Sequence, residues 1–339
     1  MSRSAALAFA ALLLAAPALA QESADLPPDA RASIEKGTAW LIGHRNSDGG
    51  WGCGEPPTPS STGITGLAIL ALDSGGNSPT RGPHGEAIDR GVAYLQRRAD
   101  EPSGAILGEY VTEFGPAYDH ACASLGLATI FGMLPDESRA RKLREVLEKA
   151  ARYFARTQEA DGGWTRYGSG TSDPMVTATA WLALRTMQSS GIEVPMGREA
   201  IEQYSHRSAV GYGGMVAGTQ GINDAAGWLR IMYGLGKEAD AEVDRLAREL
   251  AHNYLVRQTP QPVSEWDYVA AMLLAQAFHH ERGEYWRVWF PAMRQYFVTI
   301  QNPDGSWEIV NCVQCKALAT SLALIALQTP RRLLPVQEQ

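Results

Sequence analysis

The sequence is poor in three features that would each assign a protein to a class. After the first twenty residues, no stretch reaches the roughly 18 uninterrupted apolar residues of a membrane span. Acidic residues outnumber basic ones, 37 to 30, and no basic stripe of the kind that binds nucleic acid occurs. Cysteine is scarce, with four in 339 residues. We therefore expect no nucleic-acid partner and no integral membrane segment.

The first twenty residues have the pattern of an export signal. Arg3 supplies a positive charge, residues 5–16 are apolar, and the small residues Ala18 and Ala20 precede Gln21. The residue directly after that point is Gln21 rather than cysteine, so a lipoprotein anchor is not indicated. We expect a signal peptide over 1–20, one domain over 21–330 and a tail over 331–339. The mature protein is then soluble and periplasmic or secreted.

One short phrase occurs three times in the chain. Each copy contains Asp-Gly followed two residues later by Trp; the copies span Arg45–Trp51, Gln158–Trp164 and Gln301–Trp307. Asp-Gly is typical of tight turns, because Asp bends the chain and Gly adopts positive φ without a Cβ clash. A helical pattern precedes each phrase and an apolar helical pattern follows it. Such self-similarity indicates a repeat architecture.

Amphipathic and apolar helical patterns alternate along the whole chain. The amphipathic patterns cover 29–44, 86–98, 136–158, 195–204, 238–257 and 281–301. The apolar patterns cover 63–72, 119–132, 175–187, 222–235, 264–280 and 315–327. Helices that are apolar all round should be buried. We predict an all-α fold, an (α/α)6 toroid of six outer and six inner helices. A linear solenoid is the competing form, but it would expose an apolar end.

The three phrases resemble the QW-type repeats of squalene-hopene cyclases and of the related prenyltransferase β-subunits. The first copy departs from that pattern, with Arg45 in the Gln position. As an architecture the resemblance covers essentially the whole mature chain. The chain is similar to the short, exported squalene-cyclase-like proteins of bacteria, within the terpenoid cyclase superfamily. The resemblance implies a toroid with an apolar isoprenoid or lipid ligand in its central cavity.

Several motifs of these families have no match in the chain. The Asp-x-Asp-Asp acid of the cyclases and an Asp-Asp-x-x-Asp diphosphate motif do not occur. The nearest match to the Asp-x-Cys zinc pair of the prenyltransferases runs from Asp119 to Cys122 and is one residue too long. The usual acid and the prenyltransferase zinc are therefore not carried over, and no cofactor is expected on this basis.

The predicted topology gathers the N-termini of the inner helices at one mouth of the ring. Three aspartates from three inner helices would lie there: Asp119, Asp224 and Asp267. Crowded carboxylates raise one another's pKa, which supplies a general acid beside a base, and His120 could be that base. The competing interpretation is that each aspartate caps its helix, worth ~1 kcal/mol, and that His120 is structural.

Aromatic residues lie on or beside the same helices. The candidates for ligand binding are Tyr118, Trp228, Trp266 and Tyr268. The resemblance implies that such aromatics stabilise carbocations through their π faces. The competing interpretation is that they pack in the core.

The four cysteines should converge on one sector of a closed ring. Cys53 precedes the first inner helix, Cys122 lies in the second, and Cys312 and Cys315 flank the start of the sixth. One interpretation is a disulfide from Cys53 to Cys312 or Cys315, as exported proteins permit. Another is zinc, because Cys312-x-x-Cys315 has ligand spacing and Cys53, Cys122 or His120 could complete the set. A reactive thiol is the third.

These observations leave three functions open. The first is an exported toroid that binds or transforms an apolar ligand, with acid–base chemistry like that of a terpene cyclase or isomerase if it is an enzyme. The second is a carbohydrate-active enzyme such as a polysaccharide lyase, for which Arg230 and Lys316 are the inner-helix cations. The third is a non-catalytic scaffold that binds a protein partner at its rim.

Overall fold

The computed structural model describes residues 26–54, 56, 58–100, 102–195, 199–205, 218–253, 264–281, 283–309 and 315–331. Within that part of the chain, twelve helices follow one another. They are α1 Pro28–Gly43, α2 Thr62–Ser74, α3 Gly85–Arg98, α4 Pro116–Ile130, α5 Glu137–Thr157, α6 Pro174–Ser189, α7 over 199–205, α8 Gly218–Gly234, α9 Ala241–Asn253, α10 Glu265–Glu281, α11 Glu284–Ile300 and α12 Lys316–Gln328. Two short strands, β1 Trp51–Gly52 and β2 Ser60–Ser61, pair antiparallel before α2.

Burial separates the helices into two layers, as the sequence predicted. All thirteen residues of α2 are buried, which suits a helix that is apolar all round. By contrast, the 21-residue helix α5 buries one stripe, formed by Leu143, Leu147, Ala150, Ala151 and Phe154. None of the helices in the described ranges is long and apolar enough to cross a membrane.

The inner helices close into a ring. Helix α2 packs on α4, α4 on α6, α6 on α8, α8 on α10 and α10 on α12, and α12 packs back on α2. The outer helix α1 contacts both α12 and α11, so the first and last outer helices are also in contact and the outer layer closes. This closure excludes the linear solenoid and confirms the predicted toroid.

Glycines allow the closest of these inner contacts, between α2 and α4. A Cβ atom on Gly66 would overlap the Cys122 carbonyl oxygen, and one on Gly126 would come within 2.5 Å of the Gly66 carbonyl oxygen. Any larger side chain at either position would force the two helices apart.

The three phrases form the same hydrogen bonds. In each, the Trp backbone N–H donates to a threonine hydroxyl on the following inner helix at 3.0 Å: Trp51 to Thr65, Trp164 to Thr177 and Trp307 to Thr320. Each buried indole N–H donates to a carbonyl of the preceding outer helix, at Leu41, Phe154 and Phe297. One tryptophan therefore joins the outer and inner helix of its own unit.

The first glycine of each phrase reaches the next unit. Gly49, Gly162 and Gly305 have φ between 94° and 97°, a region that favours glycine. A Cβ atom at these positions would collide with the carbonyl oxygens of Arg90 on α3, Ala200 on α7 and Lys36 on α1, respectively. The third phrase therefore packs against the first helix of the chain and completes the ring.

A fourth loop, over 100–106, repeats this bonding pattern with different residues and a turn one residue longer. Ser103 Oγ accepts the Ala105 N–H at 3.1 Å, as Asp48 accepts the N–H of Gly50 in the first phrase. The Ile106 N–H donates to Nδ1 of His120 at 3.0 Å. Ile106 and His120 thus occupy the Trp and Thr positions. The positive-φ glycine is retained as Gly104, and a Cβ atom there would collide with the Lys149 carbonyl oxygen on α5.

The shared threonine can be tested at Thr177. Replacing it with Val leaves the buried Trp164 N–H without its acceptor, so the free energy of unfolding should fall by about 1–3 kcal/mol. Urea unfolding would measure the change. Thr177→Ser keeps the hydroxyl and should retain most of the stability. Equal losses in both variants would contradict this role for the hydrogen bond.

Candidate functional site at the mouth of the ring

Asp119 lies in the first turn of α4 and is fully buried. Its carboxylate accepts the Thr112 N–H at 2.9 Å and the Thr112 hydroxyl at 2.5 Å. Burial raises the pKa of Asp119 to about 7, although the two hydrogen bonds from Thr112 oppose that rise. Near neutral pH this carboxyl group is therefore partly protonated, and the protonated form is the state a general acid needs.

The His120 side chain does not lie at the mouth of the ring, where a base beside Asp119 was one of the two predicted roles. Its ring packs against Tyr153 and Phe154 of the outer helix α5, with ring centroids 4.7 and 4.4 Å away. Burial lowers the pKa of His120 to about 3, against the opposing effect of the Ala150 carbonyl. Because Nδ1 accepts the Ile106 N–H, the neutral ring fills the structural role described above.

The Tyr118 side chain reaches across to the neighbouring inner helix. It is buried near the Cys122 thiol and near Thr179 on α6, and its hydroxyl makes no hydrogen bond within the described residues. Burial raises the pKa of Tyr118 well above its usual value and does the same for Cys122. Cys122 is consequently a protonated thiol at neutral pH, which argues against its being the reactive thiol. Tyr118 remains a candidate for contact with a ligand.

The other two aspartates have different neighbours. Ser264 donates its N–H and hydroxyl to Asp267 Oδ2 at 2.9 and 2.8 Å, and the Asp267 N–H donates back to the Ser264 hydroxyl at 3.4 Å. That reciprocal pair is a capping box at the start of α10. Asp224 is half-buried and lines a separate cavity on the rim with Asp173.

Two of the predicted ligand-binding aromatics point toward the outer layer. The Trp228 indole N–H donates to the Ser205 carbonyl at the end of α7 at 2.9 Å. Tyr268 stacks on Phe297 of α11 at 5.4 Å, and its hydroxyl donates to the Glu308 carbonyl at 3.1 Å. These contacts favour the interpretation that the two aromatics pack in the core, and their contact with a ligand stays a prediction. The Trp266 side chain lies outside the described residues.

Cys53 and Cys315 form a disulfide across a sequence separation of 262 residues. It joins the segment before α2 to the residue that precedes α12, two inner helices that pack together. Cys122 is buried and free, and Cys312 lies outside the described residues. Within the described ranges, no three His, Cys, Asp or Glu residues are grouped so that they could hold a metal ion.

Comparison with known proteins gives partial matches. No family model matches the chain. Drimenyl diphosphate synthases from Streptantibioticus cattleyicolor and Streptomyces showdoensis are 33% and 30% identical over 45% and 47% of the chain. A squalene–hopene cyclase from Bradyrhizobium diazoefficiens is 23% identical over 50% of it. The matches span only 27%, 27% and 28% of those relatives' own lengths.

Solved structures match over nearly the full chain. Two variants of the type II terpene cyclase MstE from Scytonema, in complex with geranylgeranyl dihydroxybenzoate, superpose with TM-scores of 0.56 and 0.57. The superpositions cover 89% and 90% of this chain and 98% of each neighbour, at 14% identity. In sequence, the chain is similar to squalene–hopene cyclase and to drimenyl diphosphate synthases over about half of its length. At 14% identity the structural likeness establishes the toroid fold alone.

The disulfide of this squalene-cyclase-like ring can be tested by mutation. Cys53→Ser should lower the free energy of unfolding by up to about 5 kcal/mol, because a bridge that closes a long loop restricts the unfolded chain. Urea unfolding with and without reductant would measure this. Cys312→Ser is the matched control and should be neutral. If Cys312→Ser were as damaging as Cys53→Ser, the bridge would involve Cys312 instead.

Sequence analysis missed a second buried carboxyl group, that of Asp73. It lies near the C-terminal end of α2 and is only 2% exposed. Burial raises its pKa to about 8, with partial opposition from the nearby charge of Arg81. The signal was present in the sequence, because an aspartate is unexpected in an otherwise apolar inner helix. In this squalene-cyclase-like ring, Asp119 and Asp73 lie at opposite ends of the inner helices.

Asp73 should make stability depend on pH. Its pKa is about 3.9 in the unfolded chain and about 8 in the folded one, so the folded state holds its proton more tightly. The stabilisation is complete below about pH 4 and is lost as the pH rises through 8. The loss is at most about 6 kcal/mol.

Thermal unfolding of the wild type and of Asp73→Asn across this pH range would measure the effect. The wild type should lose stability relative to the variant as the pH rises. The exposed change Glu109→Gln is the control and should leave the wild-type profile unchanged. Parallel profiles for the wild type and Asp73→Asn would show that Asp73 ionises normally.

Proposed function

We propose that this chain binds an apolar isoprenoid in its ring and that Asp119 donates a proton to it. The observation that carries the proposal is the buried, partly protonated Asp119 carboxyl inside a terpene-cyclase-like fold. Names of relatives support the isoprenoid class: drimenyl diphosphate synthase and squalene–hopene cyclase. A solved neighbour of the same fold holds geranylgeranyl dihydroxybenzoate as its substrate.

The proposed step needs only the groups around Asp119. The carboxyl proton passes to an alkene carbon of the ligand, whose π electrons form the new C–H bond and leave a carbocation. The carboxylate that remains keeps its two hydrogen bonds from Thr112. These bonds stabilise the charged product of the transfer, since hydrogen bonding to an ionised carboxylate favours that form. Ring closure and loss of a proton would then complete an isomerisation or cyclisation.

Access to Asp119 depends on the segment that carries Thr112. Thr112 and Phe114 are themselves buried, so this segment covers the carboxyl group. The ligand therefore reaches the acid after the segment shifts, and Thr112 both tunes the acid and covers it. Tyr118, one residue before Asp119, would present its ring to the ligand or to a carbocation.

Export belongs to the same proposal. The predicted signal peptide, residues 1–20, lies outside the described residues. The Cys53–Cys315 disulfide supports a periplasmic or secreted location, because structural disulfides persist in oxidising compartments.

The proposal is tested by separating binding from chemistry. Squalane, which has no alkene to protonate, would report binding through a rise in the melting temperature. Squalene, farnesyl diphosphate and geranylgeranyl dihydroxybenzoate would report turnover by gas chromatography–mass spectrometry. Asp119→Asn should abolish turnover and leave squalane binding intact, because Asn keeps an acceptor for Thr112. Wild-type activity should fall as the pH rises through about 7.

Asp224→Asn and Asp267→Asn serve as matched controls, since each removes one predicted carboxylate from the mouth. Both should retain turnover. If turnover instead depended on Asp224 or Asp267, the acid would be misassigned. If no isoprenoid bound at all, the ligand class would be wrong. Binding without turnover would leave an isoprenoid-binding protein and remove the catalytic role.

A further inference from the structure

A rim cavity of about 360 Å³ opens beside the N-termini of α6 and α8. It is lined by Thr165, Arg166, Tyr167, Ser169, Thr171, Ser172, Asp173, Pro174 and Asp224. The volume falls within the range of small-molecule sites, roughly 300–1,000 Å³. Most of these residues belong to the loop that follows the second phrase. The isoprenoid proposal assigns no role to this cavity.

The Tyr167 ring is exposed yet held in place. Its side chain is 66% exposed, although few large hydrophobic residues in the described ranges are exposed at all. The Tyr167 hydroxyl donates to the Glu113 carbonyl at 3.0 Å. An exposed aromatic ring fixed at its far end offers a preformed apolar face to a ligand.

The charged groups of the cavity do not favour an anion. Asp173 accepts from the Arg166 guanidinium at 2.6 Å, so this cation is already paired. The same aspartate caps α6 through the N–H groups of Met175 and Val176, which fixes the pair in place. With Asp224 included, the three ionisable side chains carry a formal charge of 1 − 2 = −1.

Hydroxyl groups supply further hydrogen-bonding capacity. Thr165 lines the cavity at 3% exposure, and its Oγ1 has no hydrogen-bond partner. A buried hydroxyl without a partner is costly, and a ligand hydroxyl could satisfy it. Ser169 and Thr171 add two more hydroxyls at the cavity wall.

We propose that this rim cavity binds a neutral sugar, free or as part of a glycan. A pyranose has an apolar C–H face that would lie on the Tyr167 ring. Its hydroxyls would donate to Asp224 and Asp173 and accept from Arg166 and Thr165, in hydrogen bonds strengthened by the ionised partners. The site shares no side chain with the isoprenoid proposal, although the Tyr167 hydroxyl binds the Glu113 carbonyl in the segment that covers Asp119.

Saturation-transfer NMR on the intact protein would test the site. The neutral probes are the methyl glycosides of glucose, galactose, mannose and N-acetylglucosamine; the anionic probes are glucuronate and inorganic pyrophosphate. At least one neutral glycoside should bind. Tyr167→Ala should weaken its binding about tenfold, and Asp224→Asn by a similar factor. Tyr167→Phe keeps the ring but loses the hydrogen bond to Glu113, so its binding should fall less than that of Tyr167→Ala.

Val288→Ala is the control: it trims an exposed apolar side chain on α11 and should not affect binding. Circular dichroism would show that each variant is folded. The proposal is overturned if no neutral glycoside binds, or if binding survives Tyr167→Ala. It is also overturned if pyrophosphate binds in an Arg166-dependent manner, because that would identify an anion site.

Discussion

The hydrogen bond between a tryptophan N–H and a threonine hydroxyl organises this ring. Each of the three phrases uses it to fix the start of an inner helix against the outer helix before it. The neighbouring glycine then leaves room for the backbone of the next outer helix. Each turn thus specifies both the pairing within a unit and the contact between units. Closure follows because the last turn packs against α1 in the way that earlier turns pack against α3 and α7.

This scaffold tolerates acidic groups in an apolar interior only by keeping them partly neutral. Asp119 and Asp73 are both buried, and burial raises both pKa values toward or above neutrality. The two differ in their hydrogen bonds, because Thr112 binds the Asp119 carboxylate directly. When hydrogen bonds stabilise the ionised form of a buried carboxyl group, the group can release its proton while the protein stays folded. That difference makes Asp119 the better candidate for proton transfer and leaves Asp73 as a determinant of stability.

Much of the fold could be predicted from the sequence, because the spacing of apolar residues along a helix indicates how much of its surface is buried. The alternation of apolar and amphipathic patterns identified both layers, and the phrases identified the turns. The site was harder to predict. A helical pattern does not say which neighbour a given side chain meets, so the sequence left ligand contact and core packing open for Trp228 and Tyr268, both of which contact outer elements. The sequence could not decide between a base and a structural role for His120, because its loop keeps the hydrogen bonds of the phrase without the Trp and Thr that mark it.

The Cys53–Cys315 bridge has a consequence for resistance to proteases. Nearly all of the ring lies between the two bridged residues, including ten of the twelve helices in the described part of the chain. A single peptide cleavage within that interval leaves both fragments covalently joined and held around the same ring. Nicked molecules would keep their mass under oxidising conditions and would separate only after reduction. The disulfide that joins the two ends of the ring therefore also holds the ring together after a first proteolytic cleavage.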